Sequence, residues 1–281
     1  MSYDSRPPTA GIADDIQVRV NAEVWRDGEF ASFYDHVSLL PAEALILARY
    51  CGRLTGRVLD VGCGAGRILN YLVRLGAEAH GIDISEHMVQ FSRRSVPAAD
   101  VRCVDLADIR GAVHGRFDAI LMTDNVLDVF DDAHRRAVLS DLRELLTADG
   151  LLIFSSHNLA AWEQPPSGDE KLGTRVAEIG QRVAQRPLGD IIRATRRLPR
   201  RVANHRRLAP LQYRAVNHAV VNDSGQDYAL LHYYITRADQ ERQLTELGYA
   251  LLEALELSGA PVPTGQEGAT SSLYYVAALA A

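Results

Sequence analysis

From Ile16 to Arg53 apolar positions recur mostly at helical spacing. The clearest stretch is PAEALILARYCGRL, where Pro41 suits a first helical turn and Leu45, Ile46, Arg49 and Tyr50 continue one face. Past Arg53, short unbroken apolar runs begin to alternate with helical stretches. RVLDV reads as a buried strand, GRILNYLVRLG as a helix ending at Gly76, AEAHGIDI as a second strand, and SEHMVQFSRRS as a helix capped by Ser85. ADVRCVDL predicts a strand near 100–104 and RFDAILMTD another at about 117–123. DDAHRRAVLSDLRELLTADG predicts a helix with Leu139, Leu142, Leu145 and Leu146 on one face, and GLLIFSSHN a fifth strand. Five strands with helical crossovers imply a mostly parallel, doubly wound α/β sheet, whose ligands sit beyond the carboxyl ends of the strands.

After Asn158 this rhythm breaks. Pro165, Pro166, Gly168, Pro187 and Pro199 interrupt a segment rich in arginine from Arg175 to Arg207, which predicts helical pieces with a basic face. YRAVNHAVV and DYALLHYYIT flank the turn residues Asn222, Asp223 and Gly225 and predict a hairpin. RADQERQLTELG predicts a helix closed by Gly248, and YALLEALEL and SSLYYVAAL two last strands. Residues 1 to about 15 read as a loosely ordered lead-in. The expected organisation is an N-terminal lead-in and helical lid over 1–40, a core over 41–158 and 237–281, and an insertion over 159–236 that caps the acceptor site. No internal repeat is evident.

Composition adds exclusions. An apolar fraction of 47% with 23% charged residues is ordinary for a globular chain, and a net charge of −6 argues against a general nucleic-acid or membrane-surface binder. No apolar run reaches the ~18 residues of a membrane span, and the start of the chain lacks the order of a signal peptide, so a cytoplasmic location is the default expectation. Cys51, Cys63 and Cys103 show no metal-ligand spacing and read as buried, reduced thiols; no disulfide and no metal site is expected.

Chemistry concentrates in VLDVGCGAGR. A dinucleotide fingerprint carries a small third residue where a helix N-terminus takes a pyrophosphate. Here Gly62, Gly64 and Gly66 give GxGxG, and Arg67 stands where that small residue belongs. Asp60, at the end of the preceding strand, would repel a pyrophosphate but attract an ammonium. Asp83 ends the second strand 21 positions beyond Gly62, near the ~20-residue offset of a carboxylate that accepts from ribose hydroxyls. A ribose-bearing nucleoside without a diphosphate suits both.

The chain resembles the class I S-adenosylmethionine-dependent methyltransferases over about residues 40–158 and 237–281. The resemblance is carried by VLDVGCGAG, GIDIS, VDLADI, FDAILMTDNVLDVF and LLTADGLLIFSSHN, in that order. It implies a Rossmann-like, seven-stranded, mostly parallel sheet with N-terminal helices, an insertion after the fifth strand, and S-adenosylmethionine as cofactor. Gly62, Cys63 and Gly64 would present backbone to its methionine and ribose, with Gly66 completing the loop. Asp60 would orient the ammonium, Asp83 hold the ribose diol, Ile84 and Met88 pack on adenine, and Asp105 accept from the adenine amino group with Leu106 beside it. Asp124 and Asn125 would lie near the methionine tail and the acceptor.

Methyl transfer from a sulfonium needs mainly positioning, plus a base where the nucleophile must lose a proton. Histidine commonly serves at neutral pH, and His157 after the fifth strand and His232 in LLHYY are candidates. Tyr34 in SFYD resembles an aromatic residue that closes over the cofactor in small-molecule members. The expected activity is transfer to O, N or an electron-rich carbon such as an indole position of a small molecule, in secondary-metabolite tailoring. A non-catalytic adenosylmethionine-binding scaffold and an RNA or protein methyltransferase are the alternatives. The basic insertion leaves a homodimer open.

Overall fold

The computed structural model describes residues 12–26, 38–163 and 188–280. Helices α1 (Ile12–Arg26) and α2 (Pro41–Arg49) precede β1 (Arg57–Val61), α3 (Arg67–Leu75), β2 (Glu78–Asp83), α4 (Glu86–Ser95), β3 (Asp100–Cys103), a short α5 (Ile109–Ala112), β4 (Phe117–Met122), α6 (Asp132–Leu145) and β5 (Leu146–Asn158). Then come α7 (Leu159–Glu163), α8 (Leu188–Leu208), the short strands β6 (Tyr213–Arg214), β7 (His218–Val221) and β8 (His232–Ile235), helix α9 (Arg237–Glu246), and strands β9 (Tyr249–Glu256) and β10 (Ser272–Leu279). The βα alternation is as its pattern predicts. Gly76 closes α3 in a left-handed conformation (φ 91°), which a residue without a Cβ adopts at no steric cost. Ser85 stands at the N-cap of α4, but its hydroxyl makes no cap hydrogen bond.

The sheet runs β3-β2-β1-β4-β5 in parallel, with β10 antiparallel to β5 and β9 antiparallel to β10. Strand alternation divides its core. Leu59, Ile120, Leu152 and Phe154 face α6 and α9 residues such as Leu139 and Leu244 on one side. Val58, Leu121 and Ile153 face Ile46, Leu69 and Val89 on the other. Ten strands share this sheet where seven were expected, because β6, β7 and β8 from the insertion pair into it. β4 pairs with β5 as far as Phe154, and β8 pairs in parallel with His157 and Asn158. His157 faces Ser272 of β10 on one edge. Its pairing with Tyr234 therefore uses the other edge, which places β8 just beyond the carboxyl end of β4.

YRAVNHAVV is two short antiparallel strands rather than one, and β7 meets β8 antiparallel as the predicted hairpin. The reduced cysteines divide differently from expectation. Cys63 is buried in the sheet's core, whereas Cys51, after α2, and Cys103, at the end of edge strand β3, are exposed. No helix among the described residues is long and apolar enough to cross a membrane.

Candidate functional site

A cavity of about 490 Å³ lies beyond the carboxyl ends of β1, β2, β4 and β5, where the crossover topology predicts it. Among the described candidates all but Gly66 line it. Gly66 (φ 86°) turns the chain into α3, and a Cβ there would stand 2.6 Å from Ser92 Oγ, so its role in this fold is the packing of α3 against α4. Tyr34 lies outside the described residues.

The loop after β1 is fixed by backbone. Gly62 and Cys63 both donate their N–H to the Ile82 carbonyl (2.8 and 3.0 Å), and Gly64 donates to Asp83 Oδ2 at 2.8 Å. Nothing lies within 4 Å of where a Gly64 Cβ would stand, so that backbone is open to close approach. Asp83 Oδ1 also accepts from Ser85 N–H at 2.9 Å. Burial raises the Asp83 carboxyl above its ordinary range, and the Ser85, Gly64 and Ile84 N–H groups oppose that shift. Asp60 is buried, and its Oδ2 has no hydrogen-bond partner. Desolvation pushes it up to about 8; Arg67 opposes, while Asp83 and Glu43 add to the rise. A buried carboxylate oxygen without a donor is uncommon in a native fold and calls for a donor from a ligand.

Glu43, which sequence reasoning passed over, and Arg67, read there only as a departure from the dinucleotide fingerprint, complete this end. Glu43 of α2, buried, caps its own helix by accepting from Leu40 N–H at 2.8 Å, accepts from Tyr274 hydroxyl at 2.8 Å, and holds both terminal nitrogens of Arg67. Arg67 lines the cavity with Asp60 and Asp124. The Asp124 carboxyl is raised by burial, with Arg67 acting against the shift and Glu43 adding to it. No local signal marks Glu43 for this role, because Arg67 and Tyr274 come from elements far away in the chain.

At the adenine-side candidates, Ile84, Met88 and Leu106 form an apolar wall. Asp105 is already engaged: Oδ1 accepts from Ala107 N–H at 3.0 Å and Oδ2 from Arg26 at 2.6 Å. Val18, Ala22 and Trp25 of α1 close this side of the cavity. Helix α1 is tied down through Asn21, which donates to Leu231 and Val129 carbonyls at 2.7 and 2.8 Å and accepts from Leu231 N–H at 3.0 Å.

The opposite end gathers His157, Asp223, His232 and Tyr234. The His157 and His232 rings lie 5.0 Å apart, and Tyr234 stacks on His157 at 4.6 Å. Behind His157, Asp128 Oδ2 accepts from its backbone N–H at 2.6 Å and stands 2.8 Å from its Nδ1. Asp128 and Arg135 form a fully buried ion pair, which Ser156, Gln240 and Gln243 extend. Burial works against the Asp128 charge, but Arg135 and His157 hold the carboxyl below its ordinary range. Asp223 Oδ2 accepts from Tyr234 hydroxyl and meets His232 Nδ1, both at 2.8 Å. Asn125 (φ 59°) donates from Nδ2 to Ser272 Oγ at 3.0 Å and faces His157 Nε2 at 3.2 Å.

Residues 58–150 match the family model described as "Methyltransferase domain". The chain is 30% identical over 145 residues to a ubiquinone biosynthesis O-methyltransferase of Neisseria meningitidis, covering 49% of this chain and 58% of that one. It spans about half the length of the curated relatives it matches. Its fold is similar to the 1,6-didemethyltoxoflavin-N1-methyltransferase of Burkholderia thailandensis (TM-score 0.59, 15% identity, 100% of this chain and 95% of that one) and to the CcbJ methyltransferase of Streptomyces caelestis (0.57, 16%, 92% and 98%). The matched segment contains the glycine loop, Asp60, Asp83, Asp105 and Asp124: residues 58–150 carry a methyltransferase domain, and the fold around it is that of S-adenosylmethionine-dependent methyltransferases of class I.

Proposed function

We propose that the protein transfers a methyl group from S-adenosylmethionine to a nucleophilic atom of a small molecule. The observation that carries this reading is the unpartnered Asp60 Oδ2 beside open Gly64 backbone and the Asp83 carboxylate. Asp60 would accept from the methionine ammonium, and that nearby positive charge would favour its ionised form. Asp83, with Gly64 and Ser85 fixing its orientation, would accept from the ribose hydroxyls. Ile84, Met88 and Leu106 would pack on adenine, and Asp105 would take its amino group. Bound there, the cofactor supplies a methyl already activated on a sulfonium, so the chain's task is to align the acceptor and keep water out. His157 and His232, at the other end of the same cavity, stand where an acceptor's proton would be taken up.

One fold neighbour is by its name a methyltransferase of 1,6-didemethyltoxoflavin, and the O-methyltransferase relatives are named for ubiquinone biosynthesis. With the cavity's aromatic far wall they favour a small aromatic acceptor, methylated at O, N or electron-rich carbon, in secondary-metabolite tailoring. The residues of 159–236 that line the cavity suit a cap on that acceptor. Calorimetric titration with S-adenosylmethionine, with NAD as control, tests the reading first. Binding of the former alone supports it, and screening of phenols, amines and indoles then defines the acceptor. Binding of NAD, or of neither, overturns it. Cofactor binding with no turnover on any acceptor would favour a scaffold.

A further inference from the structure

His157, Asp223 and His232 converge although they come from β5, the loop before β8, and β8 itself. One ring nitrogen of each histidine and one Asp223 oxygen all lie within 4.8 Å of one another. Donors about 2.1 Å from a zinc-like cation stand roughly 3.4 Å apart in tetrahedral geometry, so a side-chain adjustment of about an ångström would bring all three onto one centre. His232 Nδ1 and Asp223 Oδ2 are already in hydrogen-bond contact at 2.8 Å.

The surroundings are those that orient metal ligands. A carboxylate, Asp128, backs the Nδ1 side of His157, and a hydroxyl and a backbone N–H, from Tyr234 and Gly225, fix the two oxygens of Asp223 at 2.8 Å each. Next to His157, Asn125 Oδ1 is buried without a hydrogen-bond partner.

We propose that His157, Asp223 and His232 bind a divalent transition cation of the zinc, cobalt or nickel kind at the acceptor end of the cavity. Two imidazoles and one carboxylate are the donor set such ions favour, and three protein ligands leave a coordination position open to the cavity. An acceptor bearing an oxygen donor would occupy it, and with the cation bound its proton would be made acidic by the cation's charge, since imidazoles that serve as ligands no longer accept it. This last step rests on the reading that the acceptor binds here; the cation site itself does not. The sequence expectation of no metal followed from the lack of a short ligand motif, and these ligands are 66 and 75 positions apart from His157.

The test uses the full chain, stripped with a chelator and titrated with Zn2+ by calorimetry and with Co2+ by its visible absorption. One cation per chain is expected, with d–d bands that mark nitrogen and oxygen ligation. His232→Gln and Asp223→Asn should each weaken binding at least ~10- to 100-fold, the range already seen when outer-shell partners are lost. S-adenosylmethionine titration of the same variants reports that they are folded. The absence of stoichiometric uptake by the wild type, or equal affinity in folded variants, would overturn the site. Failure of S-adenosylmethionine to bind the wild type would overturn the proposed function and leave the cation result standing.

Discussion

The two ends of the cavity are built differently. The glycine-loop end comes from β1, β2 and the turns that follow them, residues Asp60 to Met88, and much of its geometry is backbone hydrogen bonding. The histidine end draws on Asn125, His157, Asp223, His232 and Tyr234, held by a fully buried ion pair that spans α6 and the turn before it. The first end is set mainly by one short stretch of chain, with Glu43 of α2, itself held by Tyr274 of β10, bracing Arg67. The second exists only when β8 has paired with the overhang of β5.

Breaking the buried support of the histidine end should have the largest effect. Arg135→Ala leaves Asp128 as an uncompensated buried charge, and about 3–5 kcal/mol of stability should be lost in chemical unfolding. A loss below about 1 kcal/mol would mean that the ion pair does not hold this end together.

At the glycine-loop end the comparable liability is Asp60. Its carboxyl ionises near the ordinary 3.8 when unfolded and near 8 when folded, chiefly through burial. Between these values the folded state binds one proton more, so stability falls as pH rises through the window. From pH 5 to 7 the contribution is about 3 kcal/mol, at ~1.4 kcal/mol per unit. Asp60→Asn should lack it, so the difference in unfolding free energy between variant and wild type should grow in the variant's favour over that range. Saturating S-adenosylmethionine should flatten the wild-type slope. Parallel pH profiles for the two proteins would count against the burial argument.

That contrast also explains what was legible from sequence. The βα order, Gly76 as a helix stop, and the gathering of Asp60, Gly62, Cys63, Gly64, Asp83, Asp105, Asp124, His157 and His232 on one cavity follow from period, turn chemistry and the rule that ligands sit at strand ends. Glu43 and Arg67 were hidden because a helix-capping glutamate and a first-turn arginine look the same whether or not they meet. Asp128 and Asn125 meet partners about 30 to 150 positions away, as in the Asn125–Ser272 hydrogen bond, and no local pattern carries such pairing. The hairpin strands were read from their own pattern, but their addition to the main sheet was not, since it rests on the pairing of His157 and Asn158 with Tyr234 and Ile235.

A smaller effect separates loop geometry from ligand contact. Asp83→Ala removes the acceptor for Gly64 N–H and, on the proposed reading, for two ribose hydroxyls. Two hydrogen bonds of ~1 kcal/mol or more each predict roughly 30-fold weaker S-adenosylmethionine binding by calorimetry. Unchanged affinity would sink the ribose assignment. The His232→Gln protein, by contrast, should bind the cofactor as the wild type does.

The smallest effect concerns the exposed rim where α1 meets Asp105. Arg26 and Asp105 pair at 2.6 Å, with side chains 54% and 25% exposed, and solvent and salt screen such a pair. Arg26→Ala should change global stability by less than about 1 kcal/mol, because Asn21 still ties α1 to the Leu231 backbone. It frees Asp105 Oδ2, the oxygen that the proposed reading offers to the adenine amino group. Cofactor affinity should therefore hold steady or rise slightly, and its dependence on salt should weaken. A marked loss of affinity on Arg26→Ala would instead make the arginine, rather than Asp105, the residue that secures the adenine side.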